Sequence, residues 1–242
     1  MRKADVNASG GQGADVIRRS VLPDLLSFQD DAIWMRGLGV DRNLNPVADE
    51  PHLFAPRGFL DDTWWHRTYW IYGEAVGGGY THWPDIGNVA PAGRLLVFDD
   101  SGSIYGYGRL SYRMGDGHVG PQAAKDYRLF SEILPSRKQE EKDGDDEYSP
   151  QHRQIQWTTQ LPFEVRAMVL VSNALLVAGG TSLPEEIEQN MSGTFRIVSR
   201  EDGTKRYECK IPGMPILDGM AFTDSGLFIS TIDGAVTCLR TD

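Results

Sequence analysis

The stretch that decides the fold is Phe195-Arg196-Ile197-Val198-Ser199-Arg200-Glu201-Asp202-Gly203-Thr204-Lys205-Arg206-Tyr207-Glu208-Cys209-Lys210-Ile211-Pro212, together with the thirty residues from Gly213 to Asp242. Glu201-Asp202-Gly203, Asp224-Ser225-Gly226 and Asp233-Gly234 punctuate short runs rich in Val, Ile, Phe and Leu. Asp-Gly between such runs is a strong local hairpin signal, because Gly takes the left-handed conformation that a tight turn needs. The stretch therefore predicts repetitive antiparallel sheet.

Working outward, strand, polar turn and strand recur. Leu25-Leu26-Ser27-Phe28 and Ala32-Ile33-Trp34-Met35 flank Gln29-Asp30-Asp31, Met168–Val171 and Ala174–Val177 flank Ser172-Asn173, and Met220–Phe222 and Leu227–Ile229 flank the turn at 223–226. A fourth copy is split, with Arg67–Tyr72 as one strand and Gly93–Phe98 as the other, around a Gly-rich excursion over 73–92. The interval from Met168 to Met220 is about fifty residues, which suits one four-stranded blade of a β-propeller. The expected fold is all-β: a partial or few-bladed β-propeller of four-stranded antiparallel blades over residues 19–242, after a flexible arm at 1–18. Loop or helical insertions are expected at about 111–153 and 181–193. The first begins with a helix-like run, Gln122–Phe130, and passes into the charged run Arg137–Glu147.

Composition narrows the function classes. A formal net charge of −10 argues against a nucleic-acid binder, since phosphate contacts need a basic field. No window approaches the eighteen apolar residues of a membrane span, and Met1-Arg2-Lys3-Ala4-Asp5 leads into a Gly/Ser-rich stretch without the apolar core of a signal peptide. Two cysteines, Cys209 and Cys238, are too few to staple a chain of this size, and both are read as free thiols on strands.

Residues 195–212 resemble the repeat of pyrroloquinoline-quinone-like β-propellers, in which an Asp-x-x-Thr-Gly-Lys turn leads to a strand bearing Trp. Asp233-Gly234-Ala235-Val236-Thr237-Cys238-Leu239 resembles another element of that repeat, and Pro51–Arg67 resembles a segment of large, uncharacterised propeller proteins of planctomycete-type bacteria. The resemblance covers roughly 20–110 and 155–242. It implies a periplasmic or secreted setting, against which stands the lack of a signal-like start. It also implies more blades than this chain supplies, hence either missing upstream blades, closure with fewer blades or self-association. Tyr207 occupies the place of the repeat's docking Trp, which implies an altered contact between blades.

The densest functional-looking cluster is Asp61, Asp62, Trp64, Trp65 and His66, joined by Tyr80, His82 and Trp83 from the excursion. Carboxylates beside aromatic platforms suit sugar binding or glycoside hydrolysis. Adjacent strand residues point to opposite faces, however, so Asp61 and Asp62 cannot both flank one bond. No catalytic set, cofactor site or metal site is recognised. Asp41-Arg42-Asn43-Leu44-Asn45 starts like a calcium loop, but Pro46 stands where such a loop needs Gly and His52 where it needs Glu, so it is read as a turn. The expectation is a non-catalytic binding or interaction scaffold with a carbohydrate or protein ligand. The alternatives are a carbohydrate-active or quinone-dependent enzyme using Asp61–His66, and a cell-envelope assembly scaffold.

Overall fold

The computed structural model describes residues 26–48, 50–55, 70–73, 90–99, 101–109, 127–133, 154–180 and 192–240. Among them lie seventeen strands and no helix, arranged as five antiparallel sheets. The first sheet is β1 (Ser27–Gln29), β2 (Ala32–Met35) and β3 (Leu38–Val40), and the second is β4 (His52–Phe54), β5 (Trp70–Gly73) and β6 (Ala92–Gly93). Two four-stranded sheets come next: β7 (Leu95–Phe98), β8 (Ser103–Arg109), β9 (Tyr127–Ile133) and β10 (Gln154–Thr159), then β11 (Glu164–Val171), β12 (Ala174–Gly180), β13 (Gly193–Ser199) and β14 (Lys205–Ile211). The fifth is β15 (Pro215–Thr223), β16 (Gly226–Thr231) and β17 (Val236–Leu239). In each sheet the strands pair in chain order, as an up-and-down meander.

Local chemistry explains the hairpins. Asp30 and Asp31 both take positive φ, 51° and 61°, which gives the β1–β2 turn the twist that matches its strands. The three hairpins predicted at 25–35, 168–177 and 220–229 are present, with Phe28 opposite Ile33, Met168 opposite Val177 and Phe222 opposite Leu227.

Sheet four lies between two others, and its strand β12 is buried on both faces while its outermost strand β14 is largely exposed. Leu175 and Val177 face a core shared with sheet three, including Leu95, Tyr105, Tyr107, Leu129 and Trp157. Ala174, Leu176 and Ala178 face the other way, into a core shared with Leu227 and Ile229 of sheet five. Hence β12 reads Ala-Leu-Leu-Val-Ala without the apolar–polar alternation of a half-exposed strand. The first strands adjoin at three of the four junctions, β1 lying by β4, β7 by β11, and β11 by β15, whereas sheets two and three meet through β6 and β8.

Two sequence expectations are corrected. The helix read over Gln122–Phe130 is strand from Tyr127 onward, the residues before it lying outside the described set. Tyr127 and Leu129 stand opposite Arg109 and Tyr107, and Leu129 and Phe130 are wholly buried, so pairing with β8 overrides the local helix preference. The split fourth copy is also not one hairpin. Gly93 pairs with Trp70 in sheet two, whereas Leu95 onward pairs with β8 in sheet three, so the chain changes sheets at Arg94. Close backbone approach makes the crossing: a Cβ on Gly108 would lie 2.5 Å from the Ala92 carbonyl oxygen.

Candidate functional site

Asp61, Asp62, Trp64, Trp65, His66, Tyr80, His82 and Trp83 all lie outside the described residues. The nearby calcium-like loop is a turn closed by its own carboxylate. Asp41 Oδ1 accepts hydrogen bonds from the backbone N–H groups of Asn43 and Asn45, both at 2.8 Å, and Oδ2 accepts from the Asn45 amide at 3.1 Å. The Asn45 backbone and side-chain bonds hold the Asp41 carboxyl below the usual range. His52 is wholly buried and stacks on Trp34 with ring centroids 3.8 Å apart, its two ring nitrogens lying 2.6 Å and 2.5 Å from the carbonyl oxygens of Glu50 and Arg36. It joins the first two sheets.

The densest polar constellation among the described residues is at one end of sheets three and four. Arg200, in the β13–β14 turn, forms an ion pair with Asp99, donates from Nε to the Tyr105 hydroxyl at 3.1 Å and from Nη1 to the Ser172 carbonyl at 2.8 Å. Trp157, on the outermost strand of sheet three and 9% exposed, donates its indole N–H to the Arg200 carbonyl at 2.9 Å. Thr159 donates to the Gly203 carbonyl at 2.9 Å. Gly203 has φ +71°, and a Cβ there would lie 2.5 Å from the indole, so Gly is required both by the backbone and by the ring resting on it. Burial raises the Asp99 carboxyl, but bonds from the Ser101 hydroxyl and the Ser103 and Ser101 N–H groups, with the Arg200 charge, outweigh it and hold it below its ordinary value. These groups latch one sheet to the next.

At the opposite end of sheet three, aromatic and basic side chains converge. The rings of Tyr107 and Tyr127 lie 5.3 Å apart, and the guanidinium carbons of Arg94 and Arg109 stand 5.8 Å and 5.9 Å from the Tyr127 centroid. Arg94, at the crossover between sheets, is ion-paired with Glu164 at the start of β11. Burial pushes the Tyr107 hydroxyl up to about 12, although a backbone bond from Val165 pulls the other way. This corner sets two guanidinium groups against an aromatic wall.

Asp218 is a third feature. It sits at φ 55° in the irregular part of β15, between the pairs Pro215–Thr231 and Met220–Ile229, where it is exposed, and partial desolvation by the surrounding chain pushes its carboxyl up. Bulges of this kind re-aim one side chain out of the ladder. No group of three His, Cys, Asp or Glu side chains arranged to hold a metal occurs among the described residues, and no helix there is long and apolar enough to cross a membrane.

No protein-family model, curated protein or solved structure matches the chain. Its own residues thus carry the functional reading. Sequence reasoning missed Trp157, whose signal was a lone indole in the polar run Gln154-Ile155-Gln156-Trp157-Thr158-Thr159. It also missed Arg94 and Arg109, whose only signal was a basic residue at each end of an apolar strand pair.

Proposed function

We propose that the chain is a non-catalytic binding scaffold built on the plan of a β-propeller, each meander acting as one blade. The observation that carries the reading is the seating of Trp157 on Arg200 and Gly203, where the outermost strand of one sheet locks onto a turn of the next. Adjoining first strands support it, since blades that radiate from an axis bring those strands together. So does the sharing of core faces by sheets three, four and five. Glu164, Arg94, Asp99 and Arg200 are committed to contacts between sheets, which suits a rigid support better than a reacting centre. The ligand surface in this reading includes Trp64, Trp65, His66 and the excursion at 73–92, and the ring closes with few blades, with further blades or through a second copy.

The test is a glycan array probed with the purified chain, alongside turnover assays on polysaccharides and, with quinone and calcium added, on alcohols. The scaffold reading predicts no turnover and binding that survives Asp61→Asn. Turnover abolished by Asp61→Asn would overturn it in favour of the enzyme reading.

A further inference from the structure

We propose that Arg109 anchors a binding site for a carboxylate ligand carrying an apolar body. Arg109 closes β8, directly across the ladder from Tyr127, and is only 5% exposed. Its Nε is fully shielded from solvent and meets no hydrogen-bond acceptor among the described residues. Arg109 has no ion-pair partner among them either, its one neighbouring group of matching character being the Tyr127 ring. A guanidinium never loses its proton under ordinary conditions, and shielding its Nε–H without an acceptor carries a desolvation cost that a cation–π contact offsets only in part.

The carboxylates at hand serve elsewhere. Glu164 pairs with Arg94. Glu132 is buried in the same sheet but stands opposite Ile104, five residues along β8 from Arg109, or about 16 Å at strand spacing. The corner thus holds two guanidinium groups against one ring and one described carboxylate committed to the first of them. The planar Nε–Nη edge of a guanidinium matches the two oxygens of a carboxylate and matches a tetrahedral anion less well. Tyr107 and Tyr127 supply an aromatic wall for whatever the carboxylate is attached to. The site lies within one sheet and its crossover, so it stands independently of blade number or ring closure.

The experiment titrates the full chain with benzoate at constant ionic strength, with chloride and inorganic phosphate as comparators, by calorimetry and by the arginine Nε–H signals in a nitrogen-15 NMR spectrum. Expected are saturable one-to-one benzoate binding, displacement of one Nε–H signal, and little response to chloride or phosphate. Arg109→Lys keeps the charge but loses the two-pronged edge, so affinity should fall by about tenfold or more, while Arg42→Lys on the exposed surface leaves it unchanged. Should Arg109→Lys fail to fold, the signals of the unaltered chain still decide. The proposal is overturned if benzoate moves no Nε–H signal, if phosphate binds as well as benzoate, or if a folded Arg109→Lys chain binds with unchanged affinity. A silent titration would also mean that the chain's own acidic residues occupy the corner, and it would leave the scaffold reading intact.

Discussion

The junction between sheets three and four and the junction between sheets four and five use the same kind of turn to different effect. Ser199–Thr204 closes with Ser199 N–H donating to Thr204 and Gly203 N–H donating back to Ser199, at 2.8 Å and 3.0 Å. Thr231–Ala235 closes similarly, one residue shorter, at 2.9 Å and 3.0 Å. Gly203 and Gly234 sit at φ +71° and +84°. Trp157 rests on the first turn, whereas a Cβ on Gly234 would meet nothing within 4 Å. Tyr207, on the outermost strand of sheet four, is 52% exposed. The turn is therefore a local property that a short sequence can encode alone. The latch also needs an indole delivered from a strand some forty residues away, and among the described residues no ring rests on the second turn.

Substitutions can break that contrast. Trp157→Ala removes the indole from the core and the latch together and should cost about 3–5 kcal/mol in denaturant unfolding. A loss below about 1 kcal/mol would mean the latch is decorative. Next come the two glycines. Gly234→Ala should cost about 1–2 kcal/mol for the left-handed backbone alone, whereas Gly203→Ala adds about 1–3 kcal/mol of overpacking against the indole. Equal losses in the two variants would show that the ring does not sit on Gly203.

Titration sharpens the comparison further. The Tyr107 hydroxyl lies in the core of the latched junction and is raised from 10.0 to about 12. The protonated form is favoured by folding, so its contribution is complete below pH 10 and is lost as pH rises from 10 towards 12, by about 2–3 kcal/mol. Tyr107→Phe should flatten that part of the alkaline unfolding curve. Asp99 behaves in the opposite sense. Its folded value lies below the ordinary 3.8, so its contribution is present above that pH and is lost as pH falls through the folded value. Arg200→Met should cost about 1–3 kcal/mol near neutrality but remove only a small part of this acid dependence, because the Ser101 and Ser103 hydrogen bonds supply most of the lowering. The smallest effect belongs to the unlatched junction: Tyr207→Ala should change stability by no more than about 0.5 kcal/mol.

Much of the fold is legible along the chain, for reasons particular residues show. Paired Asp residues at 30–31 and Asp-Gly at 202–203 and 233–234 encode turns that need no distant partner, and the hairpins they join stand where the sequence puts them. The change of sheet at Arg94 is not legible, because Arg67–Tyr72 and Gly93–Phe98 look like two strands of equal standing and only β8 shows where one pairing ends. Tyr127–Phe130 reads as the end of a helix because the run before it, Gln122-Ala123-Ala124-Lys125, has helix-forming residues, and burial of Leu129 and Phe130 against β8 outweighs that preference. Tyr207, which the resemblance places where a docking Trp would stand, is 52% exposed while Trp157 makes the latch, since a latch is defined by what a ring touches and a sequence pattern names only where a ring recurs. Of the candidate site, the sequence offers an aromatic and acidic cluster at 61–66, whereas the buried arginine corner is invisible to it because Arg94 and Arg109 look like ordinary surface cations until their neighbours are known.

By itself the sequence determined the all-β class, the antiparallel hairpins and their turns, because these depend on backbone conformations and side chains within a few residues of one another. The tertiary structure alone decided which sheets share a core, that Trp157 lies on Gly203, and that Arg109 is buried beside Tyr127 with no described acceptor for its Nε. Those depend on burial and on partners tens of residues apart, where a side chain's role is set by the surface it meets.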